Sequence, residues 1–199
     1  INNFEIFLDK PDSYNYESGF EILQSILHHF PADICDQLFD PIYTECTKII
    51  DSIPIKIQMK YSNEYIHHYN LVFESWVLLG ELFRNVSEEL SNSYYDEIFP
   101  VSIDVINTFY ETQLHRQEQN YDLLNDSDIQ NANVELIGSL AYSCSTNLAN
   151  QFDDVVSLLI ELLQFQTQNY LNGNINDLLL VHSLFNCLGM FVTNMTSLM

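Results

Sequence analysis

Basic residues are scarce in this sequence: 6 Lys and Arg stand against 28 Asp and Glu, for a formal net charge of −22. A surface of that sign repels a phosphate backbone, so direct binding to DNA or RNA is excluded. It attracts basic protein segments instead, although the same excess also serves plain solubility. Glycine and proline are scarce too, five of each, so long helical segments run with few breaks. The polar interruptions fall at residues 53–62 with Pro54, 117–127, and 172–176 around Gly173. No alternating strand pattern of useful length is present.

Long apolar runs are lacking as well. The most apolar segment, residues 178–192, is broken by His182, Ser183 and Asn186 and falls short of the roughly 20 residues that span a bilayer. No membrane insertion is expected, and no basic start followed by an apolar run marks a signal peptide. Cys35, Cys46, Cys144 and Cys187 never stand in CxxC spacing. Their apolar contexts read as buried core positions in a reducing compartment. Sequons at Asn85, Asn125 and Asn194 are no more than an Asn-rich chain produces by chance.

Catalytic signatures are the last absence. HExxH, phosphate-cradling glycine loops, GxSxG and activated Cys-His spacings do not occur. The pairs His28-His29 and His67-His68 diverge by about 100° on a helix and cannot present both rings to one ion. Asp153-Asp154 lacks a third carboxylate at magnesium-binding spacing, because Val155, Val156 and Ser157 follow. Neither metal nor cofactor is expected, and the chain is not expected to be an enzyme.

What is present is a repeat. Glu74-Ser-Trp-Val-Leu-Leu-Gly80-Glu-Leu-Phe aligns without a gap on Ala132-Asn-Val-Glu-Leu-Ile-Gly138-Ser-Leu-Ala, and Cys187-Leu-Gly189-Met-Phe-Val shares their centre. Gln24 takes the glycine position in a fourth copy, ahead of Ser25-Ile26-Leu27. Fourteen residues on from the reference stand Leu38, Tyr94 and Phe152, eighteen on Ile42, Ile98 and Val156, and twenty-five on Ile49, Val105 and Leu163. These offsets share one helical face, as a buried stripe should. Each unit therefore reads as helix A, a turn and helix B. The units fall at about 17–52, 66–113, 128–171 and a truncated 176–199. One helix pair cannot bury its stripe alone, so pairs stack and share a core. The expected fold is all-α, a right-handed α-α superhelix of antiparallel helix pairs, a HEAT/armadillo-like solenoid. Gly80, Gly138 and Gly189 are read as points of close helix approach, since an ordinary helical glycine costs about 1 kcal/mol against alanine. The opening on Ile1 without Met, and the close on Met199 inside an apolar pattern, are read as a segment of a longer solenoid.

The run Leu123-Leu-Asn-Asp-Ser-Asp-Ile-Gln-Asn-Ala-Asn-Val-Glu-Leu-Ile-Gly-Ser-Leu-Ala resembles a HEAT repeat junction, an acidic turn ahead of helix A. Among HEAT proteins, the acidity and uneven helices resemble the β-karyopherins, the importin and exportin nuclear transport receptors. The resemblance spans roughly residues 17–199. It implies cargo binding, regulation by a Ran-type GTPase, contact with phenylalanine-glycine nucleoporins, and a cytoplasmic and nuclear location. A HEAT scaffold or adaptor subunit of a multiprotein complex is the alternative, and an all-α enzyme the third reading. HEAT units commonly carry Val-Arg where this chain has Ile129-Gln130, which removes an expected ion-pair ladder.

Candidate partner-binding residues are the acids at repeated or heptad offsets. Asp40, Asp96 and Asp154 recur sixteen residues after the reference, while Glu97, Asp104 and Glu111, and Asp154 with Glu161, are spaced by seven. One reading is an acidic ladder that receives a basic cargo segment. The other places the three aligned acids near the start of helix B, where they complement the helix dipole. Phe73, Trp76, Phe83, Phe99, Phe109, Phe152 and Phe165 are read as core. By the family resemblance, an exposed apolar slot near Phe83 and Tyr142 is a candidate for phenylalanine-glycine peptides.

Overall fold

Apolar residues three and four apart, with breaks only at polar connections, give a chain that is all helix where it is described. A computed structural model describes residues 13–52, 63–119, 127–173 and 178–195. Among these stand eight helices and no strand: α1 (Ser13–His29), α2 (Ala32–Ser52), α3 (Asn63–Asn85), α4 (Glu88–Gln119), α5 (Ser127–Ser143), α6 (Ser145–Ala149), α7 (Phe152–Leu171) and α8 (Leu179–Met195). Acids occupy the first turns of several helices, with Asp33 in α2, Glu88 and Glu89 in α4, Asp128 in α5 and Asp153 and Asp154 in α7. There they face the positive end of the helix dipole. Helices α2 and α4 continue through Pro41 and Pro100. Gly173, with φ of 72°, ends α7 in the left-handed conformation that favours glycine.

The buried stripe of the B helices holds Ile42, Ile98 and Val105 as expected, takes Phe39 and Tyr95 in place of their neighbours Leu38 and Tyr94, and in the third copy lies one residue before the expected Val156 and Leu163. In α2 it runs Cys35, Phe39, Ile42, Cys46, and in α4 Ser91, Tyr95, Ile98, Ser102, Val105, at spacings of four and three. Leu38 and Tyr94, expected inside, are only half-buried, as is Val156, whose neighbour Val155 is buried. The third copy follows the same stripe through Leu148, Val155, Leu159 and Leu162. Cys35 to Ser91 is 56 residues and Ser91 to Leu148 is 57, whereas Gly80 to Gly138 is 58. From the second copy to the third, a gapless alignment on helix A therefore runs one residue out on reaching helix B. The third B helix is also interrupted: Cys144 and Gln151 leave the helical conformation, at φ −126° and −118°, and separate the one-turn α6 from α7.

Two compact units divide the chain, residues 1–86 and 87–199, with the division inside the expected repeat 66–113. In the first, α3 packs on both α1 and α2. Its centre is aromatic: Phe39 stacks on Tyr43 with ring centroids 5.4 Å apart, and Phe83 meets Phe39 edge-on at 5.5 Å and 88°. Trp76 is buried on α3, as is Gly80. In the second unit, α5 packs on α4 and α8, and α8 also on α7. Each of these contacts joins successive segments of the expected repeat.

Both units link their A helices by a side-chain hydrogen bond, at registers that differ by three residues. Gln24 Nε2 of α1 donates to Glu74 Oε2 of α3 at 3.3 Å, and Ser183 Oγ of α8 donates to Glu135 Oε1 of α5 at 2.8 Å. Glu74 and Ser183 each stand six residues before the reference glycine of the later helix, Gly80 and Gly189.

Candidate functional site

The acids proposed as a binding surface are exposed on two helices of the second unit and one of the first. Asp96, Glu97, Asp104 and Glu111 are exposed on α4, and Asp154 and Glu161 on α7, while exposed Asp40 belongs to α2. Residues seven apart are two turns apart, so Glu97, Asp104 and Glu111 share a face at intervals of about 10 Å along the axis. Val101 is exposed among them.

Helices α4 and α7 are tied together. Tyr110 and Phe165 meet edge-on at 5.3 Å, and Gln166 Nε2 donates to Gln113 Oε1 at 2.7 Å. The interruption before α7 has a use here, because Gln151 Oε1 accepts a hydrogen bond from Tyr95 OH at 2.9 Å.

The dipole reading of the aligned acids requires correction at two of three positions. Asp154 lies in the first turn of α7. Asp40 and Asp96 do not lie near a helix start, since α2 begins at Ala32 and α4 at Glu88, and a macrodipole effect falls off within one turn. The cause is that the turn between helices A and B is only two residues long, Phe30-Pro31 and Val86-Ser87, so each B helix starts two turns earlier than the alignment suggested.

The glycines divide by surroundings. A Cβ built on Gly138 meets Met190 Sδ at 3.1 Å and Cys187 Cα at 3.6 Å, so α5 and α8 do approach closely there. Gly189 is exposed and would meet nothing within 4 Å. Close approach is therefore observed at Gly138 and not at Gly189. Phe83 is buried edge-on against Phe39 in the first unit, and Tyr142 is exposed in the second. Of the other aromatics, Trp76, Phe99 and Phe109 are buried, while Phe73, Phe152 and Phe165 are half-buried.

All four cysteines are buried and free. Burial pushes the Cys46 thiol up to about 12 and that of Cys144 up to about 11, and it raises Cys187 and Cys35 as well. Thiols shifted this way are poor nucleophiles at neutral pH. His28 and His29 are exposed with rings edge-on at 5.1 Å, and His29 Nδ1 is 2.8 Å from the Ser25 carbonyl oxygen. The side chains of His67 and His68 lie outside the described residues. Among the described residues no group of three or more His, Cys, Asp or Glu could hold a metal ion, and no helix is long and apolar enough to cross a membrane.

A buried amide relay escaped the sequence reading. Gln166 Nε2 of α7 donates to Gln113 Oε1 of α4, Gln113 Nε2 donates to Gln130 Oε1 of α5 at 3.3 Å, and Gln130 Nε2 donates to the Ile106 carbonyl oxygen at 3.2 Å. Gln130 stands where the resemblance expected from the sequence would put arginine, which was the one signal available. It is fully buried, and a neutral amide fills that place without the several kcal/mol that an unpaired buried cation costs. Asn133 is equally buried, donating to the Ile129 carbonyl oxygen at 2.9 Å while its Oδ1 has no partner.

Compared with known proteins, the chain matches no family model, no curated protein and no solved structure.

Proposed function

We propose that this chain is a protein-binding segment of a HEAT-like right-handed solenoid, of the importin and exportin type, which acts without chemistry of its own. The observation that carries the reading is the exposed, evenly spaced acidic face of α4, Glu97, Asp104 and Glu111, joined on α7 by Asp154 and Glu161 in a chain of net charge −22. The interval of about 10 Å along α4 matches three residues of an extended polyproline-type peptide, at about 3.1 Å each. Such a peptide turns every third side chain to the same side. The favoured ligand is thus a cargo segment with Lys or Arg at every third position and an apolar side chain to meet Val101.

Fluorescence anisotropy with a basic peptide of that spacing tests the reading. Affinity should weaken between low and physiological salt, because exposed charges are screened beyond about 8 Å. Asp104→Lys and Glu111→Lys should each weaken it severalfold, with the far-UV spectrum unchanged. Binding that ignores both salt and charge reversal would sink the acidic-face idea. Pull-downs with a GTP-loaded Ran-type GTPase and with phenylalanine-glycine repeats separate a transport receptor from a HEAT adaptor.

A further inference from the structure

Resting on the acidic-face reading, we propose that the aromatic corner made by Tyr110 of α4 and Phe165 of α7 is an arginine-binding site, so that the basic partner segment carries arginine rather than lysine there. Helix geometry assembles the corner from two faces. Asp154, Leu158, Glu161 and Phe165 are spaced by four, three and four, and so share one side of α7. Ile103, Asn107, Tyr110 and Leu114 repeat that spacing on α4. These two sides meet where the rings of Tyr110 and Phe165 stand 5.3 Å apart at 74°.

The acids of α7 therefore lie on the side of that helix that turns to α4. Exposed Glu161 is one turn ahead of Phe165, which puts their Cβ atoms about 5 to 6 Å apart. On α4, exposed Glu111 follows Tyr110 directly and ends the evenly spaced series from Glu97.

Other ring pairs in the molecule are closed. Phe39 and Phe83 are buried together in the first unit, and Tyr95 and Phe99, stacked at 5.0 Å, are buried in the second. Tyr110 and Phe165 are both half-buried, and Leu114, one turn beyond Tyr110, is 40% exposed. Two open rings near a right angle form a corner in which a flat group can lie on one ring while the other closes its side.

The surroundings decide what the corner takes. A purely apolar occupant would strip water from Glu161 without giving its carboxylate a hydrogen bond. An ammonium would satisfy the carboxylate, but it stays strongly hydrated and has no flat face to lay on a ring. A guanidinium does both: it stacks on aromatic faces, sheds water more readily, and its fork of N–H donors matches a carboxylate. The methylene stem of the same side chain covers exposed apolar surface such as that of Leu114.

The test is fluorescence anisotropy of the 199-residue chain with two labelled peptides of equal charge. These are Lys-Pro-Ala and Arg-Pro-Ala, each repeated about four times to favour the extended polyproline form. The arginine peptide should bind about threefold to tenfold tighter. Phe165→Leu and Tyr110→Leu should each bring the two affinities within about twofold of one another by weakening the arginine peptide alone, with unchanged circular dichroism. Glu161→Gln alters an exposed side chain and leaves the rings in place; it should weaken the arginine peptide more than the lysine peptide. Equal affinity of the two peptides for the unaltered chain, with binding that still weakens in salt, overturns the arginine site and leaves the acidic face standing. Binding of neither peptide overturns both. Arginine preference that survives all three substitutions, or equally tight binding of a peptide with leucine in place of arginine, overturns the arginine site as well.

Discussion

Rings fill the interior of the first unit and amides thread that of the second. Phe39, Tyr43 and Phe83 form a mutual aromatic cluster near buried Trp76 in residues 13–86. Such packing is worth about 1.5 to 3 kcal/mol per buried side chain and asks only for shape and volume. In residues 87–195 the interior holds Gln130, Asn131, Asn133, Gln166 and Asn169 beside its leucines. Buried amides ask for specific partners, since each one left unmade costs about 1 to 3 kcal/mol. The first core is the more tolerant of hydrophobic exchange and the second the more exacting about register. The lone tryptophan, Trp76, lies in the first unit, so its fluorescence follows that unit while circular dichroism follows both.

Alkali is expected to have the largest effect, acting on several groups at once. A thiol whose folded-state pKa lies above its ordinary 9.0 keeps its proton in the native state after the unfolded chain has lost it. That contribution is complete below pH 9.0 and is lost as pH rises through about 11 for Cys144 and about 12 for Cys46. Cys187 and Tyr95 are raised by burial in the second unit, whereas among the described residues the groups raised in the first are Cys35 and Cys46. An alkaline titration should therefore lose helical signal before Trp76 fluorescence changes; the reverse order would break the comparison.

Next in size is Phe83→Ala, which removes the ring against Phe39 and should cost about 3 to 5 kcal/mol. The Trp76 transition should move far down the denaturant axis, while a second transition, seen by circular dichroism alone, stays in place. Gln130→Leu is smaller, about 1 to 3 kcal/mol, because it strands Gln113 and the Ile106 carbonyl. It should move the other transition and leave Trp76 alone. Replacing Gln113, Gln130 and Gln166 together by leucine should recover part of the loss, since no amide partner is then left unpaired. If the three changes simply add, the relay is not a coupled network.

Helix content and the recurrence of the buried pattern were legible in the sequence, because period and spacing survive any tertiary arrangement. The reference glycines drew attention to Gly138, and its contact with α8 followed. The stripe was right at Ile42, Ile98 and Val105 and one residue out at Val156 and Leu163 in the third copy, because an alignment on helix A carries no information about the length of the turn that follows. Asp40 and Asp96 were misjudged for the same reason. The glutamine relay was hidden because Gln113, Gln130 and Gln166 come from three helices, and a polar residue in an acidic, Asn-rich chain does not announce burial. The acidic face was legible as spacing, and its exposure on α4 and α7 depends on which side of each helix the core takes.

The smallest expected effect separates α5 from α8. Gly138→Leu forces a side chain into the gap held by Met190 and Cys187. Overpacking of that kind costs about 1 to 3 kcal/mol, and the helix propensity gained by losing a glycine returns up to about 1 kcal/mol. The melting temperature should fall by several degrees. Gly138→Ala should be milder, because the nearest atom is the sulfur of a flexible methionine. At Gly189 nothing opposes the propensity term, so Gly189→Ala should raise stability by up to about 1 kcal/mol. Calorimetry of the pair decides the matter: equal shifts of the same sign would mean that the equivalence of the two glycines extends to their packing.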